Sequence, residues 1–240
     1  MSTDALFYSI SENVFKKYPG YIRGVVICTN VKNGNSSAEL ISMLRNAEST
    51  LRRSVNPEKI AEHPQILAWR EAYRLFGAKP SEFRSSIEAM ARRVLRDNEL
   101  PTINALVDIG NLISLEHLVP VGGHAIDHVT NDLELRPAIG DEDFVAFGSN
   151  ELEHPEPGEI IFAEGKTVLT RRWTWRQGNH TLTVPETTAI EFNVDGLPPV
   201  SKEKVEQICQ EVADLVKKFC GGQNRYELLS ATNPKIQLSL

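Results

Sequence analysis

Two kinds of hydrophobic periodicity occupy separate parts of this chain, and their separation constrains the fold more than any other feature. Apolar residues recur at helical spacing in several segments of residues 38–118 and again in residues 201–219. Residues 132–194 instead hold short alternating runs bounded by turn residues. A run of helices followed by a run of strands is typical of α+β folds and not of alternating βαβ units. We therefore predict an α+β fold with a helical run and a mostly antiparallel β-sheet or sandwich.

Residues 1–240 are predicted to form a single domain, because no flexible linker separates the helical part from the strand part. Two strands around a turn are expected in residues 6–29. The predicted helices cover residues 38–55, 65–76, 81–96, 104–118 and 201–219. The further predicted strands cover residues 133–138, 144–147, 159–163, 167–170, 180–184, 189–194 and 226–231.

The net charge of the chain is −6, so it does not bind nucleic acid through its overall charge. Any such contact needs a local basic patch, and the sequence offers two. One lies within residues 70–96, where glutamates dilute the arginines and lysines and a solvated helical face is the more ordinary interpretation. The other lies within residues 171–176.

The sequence predicts a cytoplasmic protein without a membrane-spanning segment. No apolar run is long enough to cross a bilayer, and the N-terminus lacks the pattern of a secretory signal. Cys28, Cys209 and Cys220 are an odd number without CxxC spacing. This argues against a disulfide framework or a cysteine-rich zinc site, and for a reducing compartment.

The segment from Asn104 to Asp127 contains a predicted helix followed by a turn and a histidine. Pro120 and the Gly122-Gly123 pair are expected to end the helix and to allow positive φ angles. His124 follows directly, where a titratable side chain is well placed to face a cleft. The ordinary interpretation is a helix end followed by a loop histidine.

His124 and His128 are four residues apart and could bind zinc from one face of a helix. Spacing alone supports this interpretation, since no third ligand is identifiable and the glycine pair opposes a long helix. We therefore predict no metal site.

An arginine- and tryptophan-rich run is predicted to form a strand. Such a strand places Arg171, Trp173 and Trp175 on one face and Arg172 and Arg176 on the other. Tryptophan can stack on a base and arginine can pair with phosphate, whereas the alternative is a core strand with its tryptophans packed inward. The run Thr181–Thr188 is dense in hydroxyl groups that can bind a small polar ligand, although threonine is also common in ordinary β-structure.

Residues 69–177 contain several distinct motifs at defined distances from one another. One pattern comprises Val107-Asp108, Asn111, Pro120 nine residues later, His124-Ala125-Ile126-Asp127, Arg136, Ala138 and Gly140-Asp141-Glu142. The others are WREAYRLFGAKPS (69–81), RSSIEAM (84–90), PVGG (120–123) and RRWTWRQ (171–177). Together they resemble the editing domain, the B-three/B-four module, of the bacterial phenylalanyl-tRNA synthetase β subunit. They resemble still more closely the free-standing proteins built on that module. The chain departs by two extra residues before His124 and by Ile126 in place of Phe.

This resemblance covers residues 60–195 and implies a trans-editing hydrolase that cleaves the ester of mischarged aminoacyl-tRNA. It implies no cofactor, and its partner is the acceptor end of aminoacyl-tRNA, with no role for DNA or a membrane. The catalytic residue it implies is His124, which would orient the terminal adenosine or the attacking water. The implied substrate-binding residues are Asn111, Gly122, Gly123, Thr187, Thr188 and Glu191. The implied tRNA-binding residues are Arg84, Arg171, Arg172, Trp173, Trp175 and Arg176.

Three other functions stay open at this point. The fold could serve as a non-catalytic tRNA- or RNA-binding module, because a fold does not guarantee an activity. A metal-dependent hydrolase would use His124 and His128. A small-molecule ester or amide hydrolase could use the same pocket.

Overall fold

A computed structural model describes residues 5–238 of the chain. The helices in these residues are α1 (Glu12–Lys17), α2 (Ala38–Ser54), a 3₁₀-helix (Pro57–Glu62), α3 (Pro64–Leu75), α4 (Ser86–Val94), α5 (Ala105–His117) and α6 (Lys202–Cys220). The strands are β1 (Leu6–Ile10), β2 (Ile22–Thr29), β3 (Val121–Ala125), β4 (Leu133–Pro137), β5 (Phe144–Val145), β6 (Leu152–Glu153), β7 (Ile160–Glu164), β8 (Thr167–Arg171), β9 (Arg176–Gln177), β10 (Ala189–Gly196), β11 (Gln223–Leu229) and β12 (Lys235–Leu238).

These strands form two larger sheets and one short hairpin. The six-stranded sheet has the order β12-β1-β4-β7-β8-β9, the four-stranded sheet has the order β11-β2-β10-β3, and β5 pairs with β6. Strands β1 and β4 run parallel, and the other neighbours are antiparallel. The predicted α+β class with mostly antiparallel strands is therefore confirmed.

The four-stranded sheet lies between a layer of helices and the six-stranded sheet. Helices α5 and α6 pack on one of its faces, and α2 packs on α5. The contact with α6 is very close, since a Cβ atom at Gly24 on β2 would lie 2.1 Å from the sulfur of Cys209. Polar side chains on the other face meet the six-stranded sheet and form the site described below.

Helix ends follow the local sequence. The Ser37 hydroxyl accepts a hydrogen bond from the Leu40 amide at the start of α2, and the Asn104 side chain accepts one from the Val107 amide at the start of α5. Such caps are worth about 1 kcal/mol each. Helix α5 ends at Leu118, whose left-handed backbone (φ 51°) turns the chain into β3. The helix thus ends near the predicted place, but the prediction was wrong about the cause: Leu118 makes the turn, whereas Gly122 and Gly123 have no positive φ and lie with His124 on strand β3.

The structure corrects three further predictions. The chain between β1 and β2 forms helix α1 and not a simple turn. The helix predicted from residue 81 begins only at Ser86, because Ser85 supplies the cap, so Arg84 lies before the helix. Residues 180–184 do not form a strand; their loop is instead tied to β3 by a hydrogen bond from the Ala125 amide to the Thr181 carbonyl.

The larger hydrophobic cluster contains residues from both large sheets and from all six α-helices. Within residues 5–238, no helix combines the length and the apolarity needed to cross a membrane.

Candidate functional site

A cavity of about 230 Å³ opens where the two sheets meet helices α4 and α5. Its walls come from segments that are distant in the sequence, including β3, β10, β9 and the turn that follows β8. The lining residues used below are Arg23, Asn111, Gly122, Gly123, His124, Phe162, Thr170, Trp175, Arg176 and Gln177. The predicted residues Asn111, Gly122, Gly123 and His124 therefore lie together at one cavity.

His124 forms part of the cavity wall and is almost completely buried (4% exposed). Its Nδ1 atom lies 2.6 Å from the hydroxyl of Thr181, and its Nε2 atom lies 3.1 Å from the hydroxyl of Thr170. The ring packs edge-on against Phe162. Burial, and secondarily the nearby Arg23 cation, lower the pKa of His124 to about 3. The imidazole is therefore neutral at neutral pH and is a weak base.

Gln177 holds two sides of the cavity together, although no residue-level prediction singled it out. Its Nε2 atom donates hydrogen bonds to the carbonyls of Gly123 and Thr181, each at 3.1 Å. It thus links strand β9 to strand β3 and to the hydroxyl-rich loop. Only its position at the end of the arginine- and tryptophan-rich motif could have drawn attention to it.

A network of buried polar side chains forms the inner wall of the cavity. Arg23 on β2 pairs with Asp195 on β10, with Nε–Oδ1 and Nη2–Oδ2 distances of 2.7 and 3.1 Å. Its Nη1 atom donates to the hydroxyl of Tyr8 at 2.7 Å, and Nε, shared with Asp195, also donates to the hydroxyl of Tyr21 at 2.9 Å. A buried ion pair stabilises a fold only when its other hydrogen bonds are satisfied, as they are here. The network fixes a charged guanidinium behind the cavity.

Glu191 lies deeper than the cavity wall, on β10 opposite His124. Its Oε1 atom accepts a hydrogen bond from the Asn193 amide at 3.0 Å, while its Oε2 atom has no hydrogen-bond partner among residues 5–238. Burial raises the pKa of Glu191 to about 8, against the opposing effect of Arg23. The side chain is fully buried and is not a lining residue, so its predicted direct contact with substrate stays a prediction.

The chain turns sharply between β8 and β9, which corrects the predicted continuous strand. Arg172 and Trp173 both have left-handed backbones, with φ angles of 46° and 65°. Such a conformation costs about 1–3 kcal/mol for each non-glycine residue and persists only when surrounding packing enforces it. Trp173 supplies that packing, because it is 1% exposed and its ring meets those of Tyr18, Tyr21 and Trp69. It is a core residue, so its predicted contact with tRNA is not available in this structure.

Arg171 is also unavailable for the phosphate contact predicted for it. It is 5% exposed and forms two hydrogen bonds with the carboxylate of Glu159, each at 2.9 Å, and a third with Glu153 at 2.7 Å. A bidentate pair of this kind satisfies the guanidinium inside the protein. Arg171 therefore anchors the six-stranded sheet and corrects the sequence prediction.

Three of the other predicted tRNA-binding residues, Arg84, Trp175 and Arg176, lie nearer the surface. Trp175 and Arg176 line the cavity, and the side chains of Arg176 and Arg84 are each 42% exposed. Arg172 is largely buried and stacks on the ring of Trp175. A straight strand would have placed residues 171–176 alternately on its two faces, and the sharp turn breaks this alternation.

Thr187 and Thr188 are not lining residues of the cavity, so their direct contact with substrate stays a prediction. The Thr187 hydroxyl accepts a hydrogen bond from the Val184 amide at 3.0 Å. The Thr188 hydroxyl donates to Asp127 at 2.5 Å, and the same carboxylate oxygen accepts from the Ala189 amide. The hydroxyl groups and Asp127 fix the start of β10.

The structure does not place the histidine pair on one face of a helix, because His124 lies on strand β3 and His128 follows the end of that strand. Both ring nitrogens of His124 already contact threonine hydroxyls, and His128 is exposed after the end of β3. Among residues 5–238, the group with metal-ligand spacing is Glu116, His117 and Glu211, which lies on helices α5 and α6 and outside the cavity lining.

Comparison with known proteins identifies the family. Residues 68–221 match the family model of the B3/4 domain. The chain belongs to the B3/4 domain family. This confirms the resemblance drawn from the spaced motifs, and the matched range contains the cavity residues from α5 through β10.

A solved structure of similar shape is an N-terminal fragment of the phenylalanyl-tRNA synthetase β subunit from Pyrococcus horikoshii. The sequence identity is 13% and the TM-score is 0.47. The similarity covers 91% of this chain and 50% of that chain, so this B3/4 protein spans about half the length of its neighbour. No curated protein matches the chain significantly.

Proposed function

We propose that this B3/4 protein hydrolyses the ester bond of mischarged aminoacyl-tRNA. The observation that carries the proposal is the cavity, where Asn111, Gly122, Gly123 and His124 meet in front of a buried polar network. A cavity of about 230 Å³ is large enough for an amino-acid side chain, and the partly exposed Arg176 is among its lining residues. The B3/4 family is the second support.

The reaction suits a site without a strong nucleophile. An aminoacyl ester is already activated, so positioning a water molecule and stabilising the oxyanion supply much of the rate. The three cysteines of the chain are buried, and none of them lines the cavity. We therefore assign direct attack to water.

In the proposed mechanism, neutral His124 orients the water through the hydroxyl of Thr170. Thr170 lines the cavity and contacts Nε2 of the ring, while Thr181 holds Nδ1 from behind. Asn111 lines the cavity, and in this mechanism its side-chain amide donates to the oxyanion. Because the pKa of His124 is lowered to about 3, the ring acts by position and not as a strong base.

A second hydrolytic site of this kind has a clear purpose. A synthetic site distinguishes close analogues by only about 1–3 kcal/mol for each small group, and hydrolysis of the wrong product supplies the remaining selectivity. The partner would be the acceptor end of tRNA, and the place of action would be the cytoplasm.

The test is deacylation of a panel of mischarged tRNAs, each labelled on the amino acid, with and without EDTA. We expect release of one amino acid or a small set, unchanged by EDTA. Free amino-acid ethyl esters serve as the control, because their preferential cleavage would indicate a small-molecule esterase. Loss of activity in EDTA would indicate a metal-dependent hydrolase. Binding of tRNA at low salt without any release would indicate the non-catalytic module.

The matched variants are Asn111→Ala and Asn111→Asp. Removal of one oxyanion donor lowers kcat by about 10²–10³-fold. We expect losses of this size with both variants, because Asp lacks the amide donor but keeps its shape. Full activity of Asn111→Asp would contradict the assigned role.

A further inference from the structure

Strand β3 forms one side of the cavity and has an outer edge that faces away from its sheet. Within residues 5–238, it pairs with β10 alone. At the two ends of β3, the Ile126 amide donates to the Ala189 carbonyl, and the Pro120 carbonyl accepts from the Asp195 amide. Even-numbered residues therefore direct their backbone groups toward β10. Because these groups alternate sides along a strand, those of the odd-numbered residues point to the outer edge.

The three backbone amides on this outer edge are not equivalent. The Val121 amide donates to the Ser114 hydroxyl at 3.0 Å, and the Ala125 amide donates to the Thr181 carbonyl at 3.0 Å. The Gly123 amide lies between them, and in the described part of the chain no side chain or loop carbonyl accepts a hydrogen bond from it. Since Gly123 lines the cavity, its N–H group is a donor available to a ligand.

The glycine pair leaves this donor uncovered. Gly122 and Gly123 lie in a strand without positive φ, so backbone conformation does not require glycine at either position. A Cβ atom at Gly122 would have no heavy atom within 4 Å, whereas one at Gly123 would lie 2.9 Å from Ile190. Glycine inside a strand often marks a place where a ligand approaches the backbone. The missing side chain at Gly122 thus opens the peptide group between the two glycines to the cavity.

The same peptide group is held in a fixed orientation. Its carbonyl belongs to Gly122 and faces Asn193 on β10, and the next carbonyl, that of Gly123, accepts a hydrogen bond from Gln177 at 3.1 Å. A donor fixed in this way needs no reorganisation when negative charge develops on a ligand. Asn111 on α5, assigned above as an oxyanion donor, lines the same cavity. The cavity therefore offers two donors, one from a side chain and one from the main chain.

We propose that the main-chain amide of Gly123 is the second donor to the oxyanion during ester hydrolysis. This inference rests on the proposed function. The water oxygen attacks the carbonyl carbon of the ester, and the electron pair of the C=O double bond moves onto the carbonyl oxygen, which accepts hydrogen bonds from Gly123 and Asn111. The double bond then re-forms as the bond to the ribose oxygen breaks. The proton lost by the water ends on that ribose oxygen, which gives the free amino acid and the tRNA.

The experiment replaces one backbone amide of the full chain by an ester, which removes the N–H group and keeps the side chain. Glycolic acid introduced at position 123 by nonsense suppression removes the proposed donor. With the mischarged tRNA that the wild type cleaves fastest, we expect kcat to fall about 10²–10³-fold, with a much smaller change in KM.

The matched control is the α-hydroxy acid analogue of valine at position 194. The Val194 amide faces Gly24 on β2, and Val194 is not a lining residue of the cavity. This control removes an amide that pairs two strands, so it should lower the unfolding midpoint more than the ester at position 123 does. It should keep the kcat of the wild type.

Wild-type kcat of the protein with the ester at position 123 would overturn the inference and leave the proposed function intact. Absence of deacylation by the wild type would refute the function, and the inference with it. Amide hydrogen exchange, measured by NMR, tests the donor without any substrate and decides if the ester protein does not fold. We expect the Gly123 amide to exchange faster than the hydrogen-bonded amides of Val121 and Ala125. Equal protection of the three amides would overturn the inference.

Discussion

Burial at single residues decides which protonation states the site can use. His124 and Glu191 lie opposite each other on neighbouring strands, and both are fully desolvated. Burial favours the neutral form of each, so the pKa of His124 falls to about 3 and the pKa of Glu191 rises to about 8. Near neutral pH the pair therefore adds no net charge beside the Arg23–Asp195 ion pair.

The lowered pKa of His124 predicts a specific loss of stability in acid. The unfolded chain binds a proton at this histidine below about pH 6.5, but the folded protein does not until about pH 3. The free energy of unfolding should therefore fall as the pH decreases through this window, by up to about 1.4 kcal/mol per pH unit from this group. His124→Gln should remove the effect. Urea unfolding of both proteins at pH 7.5, 6 and 5 measures their free energies of unfolding. A difference between the two proteins that is the same at all three pH values would contradict the lowered pKa of His124.

The raised pKa of Glu191 predicts the opposite dependence. Between about pH 4.5 and 8 the folded protein keeps a proton that the unfolded chain has lost, so stability contributed by this group decreases as the pH rises. Glu191→Gln, which cannot ionise, should gain stability relative to the wild type from pH 5 to pH 8. Unfolding midpoints of the two proteins at several pH values test this, and parallel curves would argue for an ionised Glu191.

Gly122 allows the cavity to be filled without disturbing the fold. A Cβ atom built there would have no heavy atom within 4 Å. Gly122→Ala, Gly122→Val and Gly122→Leu should therefore reduce deacylation in that order, with little change in the unfolding midpoint. Gly34 is the matched control, because it is equally open and lies outside the cavity lining. Unchanged activity of Gly122→Leu would show that the substrate does not enter this cavity.

At the scale of elements, close packing between β2 and α6 fixes the distance between the sheet and the helical layer. A Cβ atom at Gly24 would overlap the sulfur of Cys209 at 2.1 Å and approach Val205 at 3.1 Å. We expect Gly24→Ala to destabilise the protein by about 1–3 kcal/mol, as overpacking of a core does. Chemical denaturation measures this. Gly24→Ala combined with Cys209→Ala should recover part of the loss, and no recovery would place the strain elsewhere.

Elements with a strong local signal were predictable from the sequence. Helices α2, α5 and α6 show clear apolar periodicity and side-chain caps, and their ends lie within a few residues of the prediction. The turn after β8 was not predictable. The alternating run favours a strand, whereas the left-handed backbone at Arg172 and Trp173 depends on aromatic rings from the α1–β2 connection (Tyr18 and Tyr21) and from α3 (Trp69). Long-range packing overrode local propensity there.

At the scale of the whole molecule, the family and the fold class could be predicted, but only part of the site could. His124, Asn111 and the glycine pair lie in one motif-rich segment, so their proximity follows from the sequence. Gln177 and Thr170 reach the cavity only through the pairing of strands, which the sequence does not specify. The single-domain organisation stays a prediction.

The distribution of charge over the molecule predicts weak, short-range capture of tRNA. Arg171 is neutralised internally, which leaves Arg84, Arg172 and Arg176 as the predicted phosphate contacts. Three contacts with a single-stranded end give a slope of about −2 for log affinity against log salt concentration. Fluorescence anisotropy of labelled tRNA between 50 and 200 mM salt tests this value. A slope several times steeper would show that another surface carries the interaction.

The position of β3 at the edge of its sheet has a consequence for how such sites diversify. This strand carries Gly122, Gly123 and His124, and it pairs on one side only, with β10. The buried ion pair that organises the sheets lies on β2 and β10 instead. Substitutions along this edge strand can therefore change the shape of the cavity while the buried ion pair stays intact.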